Sequence, residues 1–215
     1  IVEDVSDEEM QALWGRILAG EIKSPQSYSL RTLELLKNLS KKEAETFMKF
    51  ASLAINSNSV TFILNFKSEK LLEETYKLNF GDRLLLEELG FLTANDLQFK
   101  ILATKEQIAQ LYFVIGNTII SLEKPANQPE QQLQVLVFTK IGQELLKLVN
   151  SSTNLDYTQL LASKLRKDKY SIKHGIILKR HDNGNVNHTP LIDVPLTEAE
   201  LKTKKEKEDR ENKNN

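Results

Sequence analysis

Val135 to Val149 reads VLVFTKIGQELLKLV, a β-branched and aromatic run that passes directly into an amphipathic repeat. Leu133 to Phe138 has strand composition. Thr139 stands where a side-chain oxygen can hold the first unpaired amide of a helix, and Ile141, Leu145, Leu146 and Val149 then recur at the spacing of one helical face. A strand that turns at once into a capped helix needs a sheet beside it and an apolar layer beneath it. The segments upstream decide what those are.

The first third reads as helix. Ser6 and Glu9 form a capping-box pattern, and Met10, Leu13, Trp14, Ile17 and Leu18 follow at helical spacing, with Gly20 as a stop. Trp14 is the expected packing anchor. Pro25 and Ser27 or Ser29 restart the chain, and Leu30, Leu33, Leu36 and Leu39 give a second stripe. Ser40 and Glu43 make another capping box, predicting a third helix from Lys41 to about Ile55. From Ser59 the period changes. Val60 to Phe66 reads as a strand, Ser68 caps a helix over 70–78, and Asp82 caps Leu84 to Leu89, which Gly90 ends. Leu97 to Ala103 alternates like a half-buried strand, and Leu111 to Leu122 adds β-rich material.

Taken from Ser40, the order is helix, strand, helix, helix, strand, a long connection and a returning strand, which resembles a winged helix over 40–150. LLLEELGFL resembles the third helix of such domains, and VFTKIGQELLKLV resembles the strand that returns from the wing. Asn127, Gln128, Gln131 and Gln132, interrupted by Pro125 and Pro129, then fall on a polar loop before that strand.

A winged helix invites an expectation of DNA binding, and the charges oppose it. Asp82 to Leu89 carries Asp82, Glu87 and Glu88 against Arg83 alone, whereas a groove-reading helix must offset phosphate repulsion. The basic concentration lies elsewhere. Lys164, Arg166, Lys167, Lys169, Lys173, Lys179 and Arg180 crowd a helix-to-strand passage and are the candidate nucleic-acid contacts. Cations at a helix C-terminus also complement its dipole, so a solvated helix end explains several of them. Downstream, Ser171 to Arg180 and Val186 to Val194 read as strands joined by an Asn183-Gly184 turn that pairs His181 with Val186. His181 and His188 would then share one face. No third ligand follows from the sequence, so no metal is expected.

Composition narrows the classes further. The 215 residues are 40% hydrophobic and 27% charged with a net charge of -1, so any anionic partner needs a local basic patch. Cysteine is absent, which excludes disulfides and thiolate chemistry and fits a cytoplasmic location. No apolar run approaches the ~20 residues of a membrane span, and no basic start precedes an apolar core. The first residue is Ile1, as expected of a piece of a longer chain. There is no glycine-rich phosphate loop, nucleophile elbow or zinc-binding helix motif, so no catalytic residue and no cofactor is expected.

The run DEEMQALWGRILAGEIKSPQSYSLRTLELLKNLSKKEAETF resembles the core of a bacterial family, domain-of-unknown-function family 2806, through its Leu-Trp pair, the Pro-x-Ser-x-Ser link and the Leu-Ser-x-x-Glu-Ala helix start. The resemblance implies a cytoplasmic bacterial protein and transfers no site residues. A fainter likeness to abortive-infection proteins implies a setting in phage defence. The expectation is one α+β domain over 1–195, helical over 1–56, winged-helix-like over 40–150, with a helix and C-terminal β-hairpin over 154–194. Residues 196–215 form a charged tail expected to be disordered. The expected function is non-enzymatic: a protein-interaction or regulatory module, binding another protein or itself. The alternatives are a nucleic-acid-binding winged helix using 164–180, and an enzyme or metal protein centred on the histidine hairpin.

Overall fold

The computed structural model describes Gly15 and residues 28–58, 60–66, 70–149, 152–167, 169–181 and 184–213. The predicted first helix with Trp14, the Ser68 cap and the Asn183 half of the turn lie outside the described residues. In chain order the elements are α1 (Leu30–Asn38), α2 (Lys41–Ala51), β1 (Ile55–Ser57), β2 (Val60–Leu64), α3 (Lys70–Tyr76), α4 (Phe80–Glu88), β3 (Leu97–Ile101), β4 (Ala109–Ile115), β5 (Thr118–Lys124), β6 (Gln131–Val137), α5 (Lys140–Leu146), α6 (Leu155–Leu165), β7 (Ser171–Arg180), β8 (Val186–His188), β9 (Ile192–Asp193) and α7 (Glu198–Lys213). They fall into two compact units.

The first unit comprises residues 1–54, 60–97 and 134–151. Its strands pair antiparallel, β2 against β6, with Phe62 opposite Val137 and Leu64 opposite Val135. Several local caps set its helices. Ser29 and Thr139 cap α1 and α5, and the Ser40–Glu43 capping box is complete at α2, with both reciprocal bonds formed. Asn79, not Asp82, caps α4, its side chain accepting from the Asp82 amide at 2.8 Å, so the helix starts earlier than expected, at Phe80. Gly90 ends it with φ +73°, a left-handed conformation that glycine adopts without cost. The core is aromatic: Phe47 packs edge-on against Phe91 and Phe138 at 5.0 and 6.3 Å, and Phe50 against Phe66 at 6.1 Å. Met48 is 43% exposed, because α2 turns Phe47, Phe50 and Ala51 inward.

The second unit comprises residues 55–59, 98–133 and 152–215. Hairpin β4–β5 pairs Ala109 with Lys124 through to Ile115 with Thr118. On its other edge β5 pairs with β7, from Thr118 opposite Ile176 to Glu123 opposite Ser171. β1 joins β4, while β8 and β9 pair with β7. Helix α6, capped by Asn154, turns Tyr157, Leu161 and Leu165 inward, all fully buried. Phe113 and Ile120 supply part of the sheet's apolar side. The charged run at the end enters as helix α7, where Thr197 and Glu200 exchange capping bonds.

This architecture overturns the winged-helix expectation for 40–150 and the separate C-terminal β-hairpin. Among the described residues the chain forms nine strands, antiparallel throughout their resolved pairings, and seven helices. A wing is a hairpin with a free outer edge. Here β5 has strands on both edges, and six of its seven residues are buried. β7, expected as one strand of the C-terminal hairpin, is the strand that covers it. Element order is a local property, whereas the β5–β7 pairing joins segments about fifty residues apart, so the order alone could not distinguish a wing from an interior strand. The ribbon's register also differs. Arg180 faces Val186, with a bulge between Ile177 and Lys179, so His181 lies in the loop and donates its amide to Asn185 at 2.9 Å.

Candidate functional site

The basic segment does not act as one patch. Arg166 turns toward the chain end: its Nε meets Glu200 at 2.9 Å and its Nη2 donates to the Val194 carbonyl at 3.3 Å. Arg180 donates to the Gly116 carbonyl at 2.6 Å. Lys173 and Lys179 lie exposed along β7, and Lys169 is exposed in a left-handed turn with φ +68°. The remaining two, Lys164 and Lys167, line a cleft of about 570 Å³ together with Tyr170 and residues 128–132.

The two walls of this cleft are set by local bonds. The α6 C-terminus leaves carbonyls without helical partners, and Gln131 Nε2 donates to that of Lys164 at 2.7 Å, joining one wall to the other. Tyr170 donates its amide to the Lys167 carbonyl at 3.1 Å, so a single turn places both side chains. Burial raises the Tyr170 phenol above its ordinary pKa. On the opposite wall Glu130 accepts from Gln132 at 2.7 Å and lies 3.8 Å from Lys100.

Beneath residues 128–132 lies Lys124, fully buried at the end of β5. Its ammonium donates to the carbonyls of Leu102 at 2.6 Å and Pro129 at 2.7 Å, with Ile101 at 3.5 Å. Burial lowers its pKa, opposed by the nearby Glu130 carboxylate. Thr104 completes the clamp: its hydroxyl donates to the Pro125 carbonyl at 2.5 Å and accepts from the Gln128 amide at 2.9 Å. Lys124→Met would keep the packing volume but leave the Leu102 and Pro129 carbonyls without this donor. Its expected cost is about 2 kcal/mol, read as an earlier midpoint in urea unfolding. An unchanged midpoint would mean that these bonds contribute nothing net.

The histidine hairpin gathers no metal set. His181 Nε2 lies 3.2 Å from Asn187 Oδ1, and His188 Nδ1 lies 2.7 Å from the Thr189 carbonyl. No group of three His, Cys, Asp or Glu side chains among the described residues is placed to hold an ion. In the first unit Arg83, the lone cation of α4, is buried: Nε meets Glu87 at 2.5 Å and Nη1 lies 2.7 Å from Asp96. Burial alone would lower its pKa, but bonding to these two carboxylates raises it, so it stays charged and turned inward.

The sequence marked both walls of the cleft without joining them. Gln128, Gln131 and Gln132 read as a polar loop and Lys164 to Lys167 as a helix end, and only the β5–β7 pairing and α6 make them face one another. Nothing in TIISLEK marks Lys124 as buried, since a lysine at a strand end is ordinarily solvated.

An α+β protein of antiparallel strands, with a polar cleft among its described residues, is the class these observations define. The chain belongs to a protein family of unknown function, DUF2806, which matches residues 1–162. The match stops short of Lys164, Lys167 and Tyr170. No curated protein and no solved structure matches the chain. No helix among the described residues is long and apolar enough to cross a membrane.

Proposed function

We propose that this chain is a non-enzymatic protein-binding module of the bacterial cytoplasm, and that α4 presents its contact face. The observation that carries this reading is the division of α4 into two faces. Arg83 and Leu86 turn inward, whereas Phe80 and Leu84, one helical turn apart, are 54% and 47% exposed. A large aromatic and a leucine adjacent on one outer stripe suit an apolar protein partner, and with Arg83 turned inward the stripe has no cation for phosphate. The ion pair from Lys49 to Asp82, at 2.6 Å, fixes α4 against α2 and keeps that stripe on a rigid support. The absence of cysteine supports a reducing compartment. The engagement of Arg83, Lys124 and Arg166 in internal bonds supports a binding role over catalysis.

A photo-crosslinking residue at position 84, activated in living cells, is expected to yield one or two discrete adducts. Adding Phe80→Glu is expected to abolish them. A dimer-sized adduct identifies self-association, and a larger or smaller discrete species identifies another protein. Absence of any discrete adduct at several expression levels refutes this reading.

A further inference from the structure

We propose that the α4 stripe is a dimer contact of this chain with itself. Two copies pack α4 antiparallel about a twofold axis, so that Phe80 meets the partner's Leu84 and Glu88 meets the partner's Lys77. This rests on the reading of α4 as a protein-contact face and names its occupant, a second copy of the chain.

The face is its own complement. Phe80, Gly81, Leu84 and Glu88 recur at helical spacing and are all exposed, while Arg83 and Leu86 are buried on the other side of α4. Lys77, exposed three residues before Phe80, stands at the opposite end of the stripe from Glu88. No ion pair among the described residues engages the Lys77 ammonium or the Glu88 carboxylate. Phe80 and Leu84 each lie two residues from the level of Asp82, about 3 Å along the axis. An antiparallel partner turned about that level sets its Leu84 against Phe80. Glu88 lies about 9 Å along the axis from the same level, where the partner's α4 begins beside the partner's Lys77. A carboxylate is favoured there by the lysine and by the unpaired amides of the helix start. Twofold symmetry makes every one of these contacts twice. A foreign protein would have to bring both charges in this order, whereas a second copy carries them.

Gly81 is an independent sign. Its φ is not left-handed, so the backbone does not require glycine, and glycine weakens a helix. A Cβ at this position would meet the Asn79 side-chain oxygen alone, at 3.2 Å. An exposed position without a side chain, beside Phe80 and Leu84, lets a second helix approach closely.

A contact between two short helices is smaller than that of a permanent dimer. The full chain should therefore equilibrate between monomer and dimer at about micromolar concentration, as sedimentation velocity over a concentration series would read. Leu84→Glu should weaken the dimer at least about tenfold. Lys77→Glu or Glu88→Lys alone should weaken it about threefold to tenfold at low salt, because each sets like charges together at both ends of the contact. Mixing these two variants should restore association, since each supplies the charge that the other needs; a variant weakened by misfolding is not rescued in this way. A chain that stays monomeric throughout the series overturns the proposal. So does a dimer indifferent to Leu84→Glu, or one that mixing fails to restore. In each of these cases the wider reading of α4 stands if position 84 crosslinks to a protein of another size, and falls as well if no discrete adduct forms.

Discussion

Gly142→Ala is expected to lower the stability of the first unit by about 3 kcal/mol or more, enough to leave a marginal protein unfolded. A Cβ built at Gly142 overlaps the Phe91 carbonyl and comes within 3.1 Å of the Phe138 ring. That carbonyl already accepts the Thr139 amide at 3.0 Å, while the Thr139 hydroxyl bonds to the Gly90 carbonyl. The first turn of α5 is therefore held against the end of α4 by one backbone bond and one side-chain bond from Thr139. No rotamer can relieve a clash between two main chains, so relief requires a backbone shift that breaks these bonds. Chemical denaturation of Gly142→Ala beside wild type would measure the effect; matching midpoints would show that α5 slides at no cost.

Glu144→Ala should be comparably damaging, at about 3 kcal/mol. Glu144 is 7% exposed, and its Oε2 accepts from the Ser29 amide at 2.8 Å, the Ser29 hydroxyl at 3.0 Å and the Thr32 hydroxyl at 2.6 Å. Removing the carboxylate leaves the Ser29 amide without this acceptor and the Ser29 and Thr32 hydroxyls, 2.8 Å apart, with only each other to accept their protons. Burial alone would raise its pKa, but the Thr32 and Ser29 bonds and the charge of Lys140 outweigh that and bring it below the ordinary 4.5. The sign follows from linkage. A carboxyl whose folded pKa is depressed gives its full stabilisation above 4.5, and loses it as pH falls through the lower folded value. Wild type should therefore lose stability over that acidic window, and Glu144→Ala should lose correspondingly less, as a pH series of thermal midpoints would show. Parallel pH profiles for the two proteins would remove Glu144 from this role.

What could be read in advance and what could not divide along the range of the interactions. The Ser40–Glu43 box, the Thr139 cap and the Gly90 stop depend on bonds within a few residues, and each is where the residue types put it. The α4 cap was displaced to Asn79 because asparagine and aspartate compete for the same role three positions apart. Pairings decided the rest. Leu111 to Leu122 is β-rich in composition and forms strands, but its partner β7 lies beyond a helix, and no local pattern announces it. The same distance hid the cleft and the burial of Lys124. Glu144 lies off the apolar stripe of Ile141, Leu145 and Leu146 in the sequence, and is a core residue only because the Ser29 cap of α1 lies against it.

The clamp of Lys124 and Thr104 on residues 125–129 bears on the thermodynamics of any ligand entering the cleft. Loops that line binding sites often become ordered only on association, and the entropy lost subtracts from affinity. Here the Asn127 amide is bound to the Lys105 carbonyl, the Gln128 amide to Thr104 and the Pro129 carbonyl to a buried ammonium before anything arrives. Association on that wall proceeds without a disorder-to-order transition of its backbone, so its affinity is set by contacts made and water released.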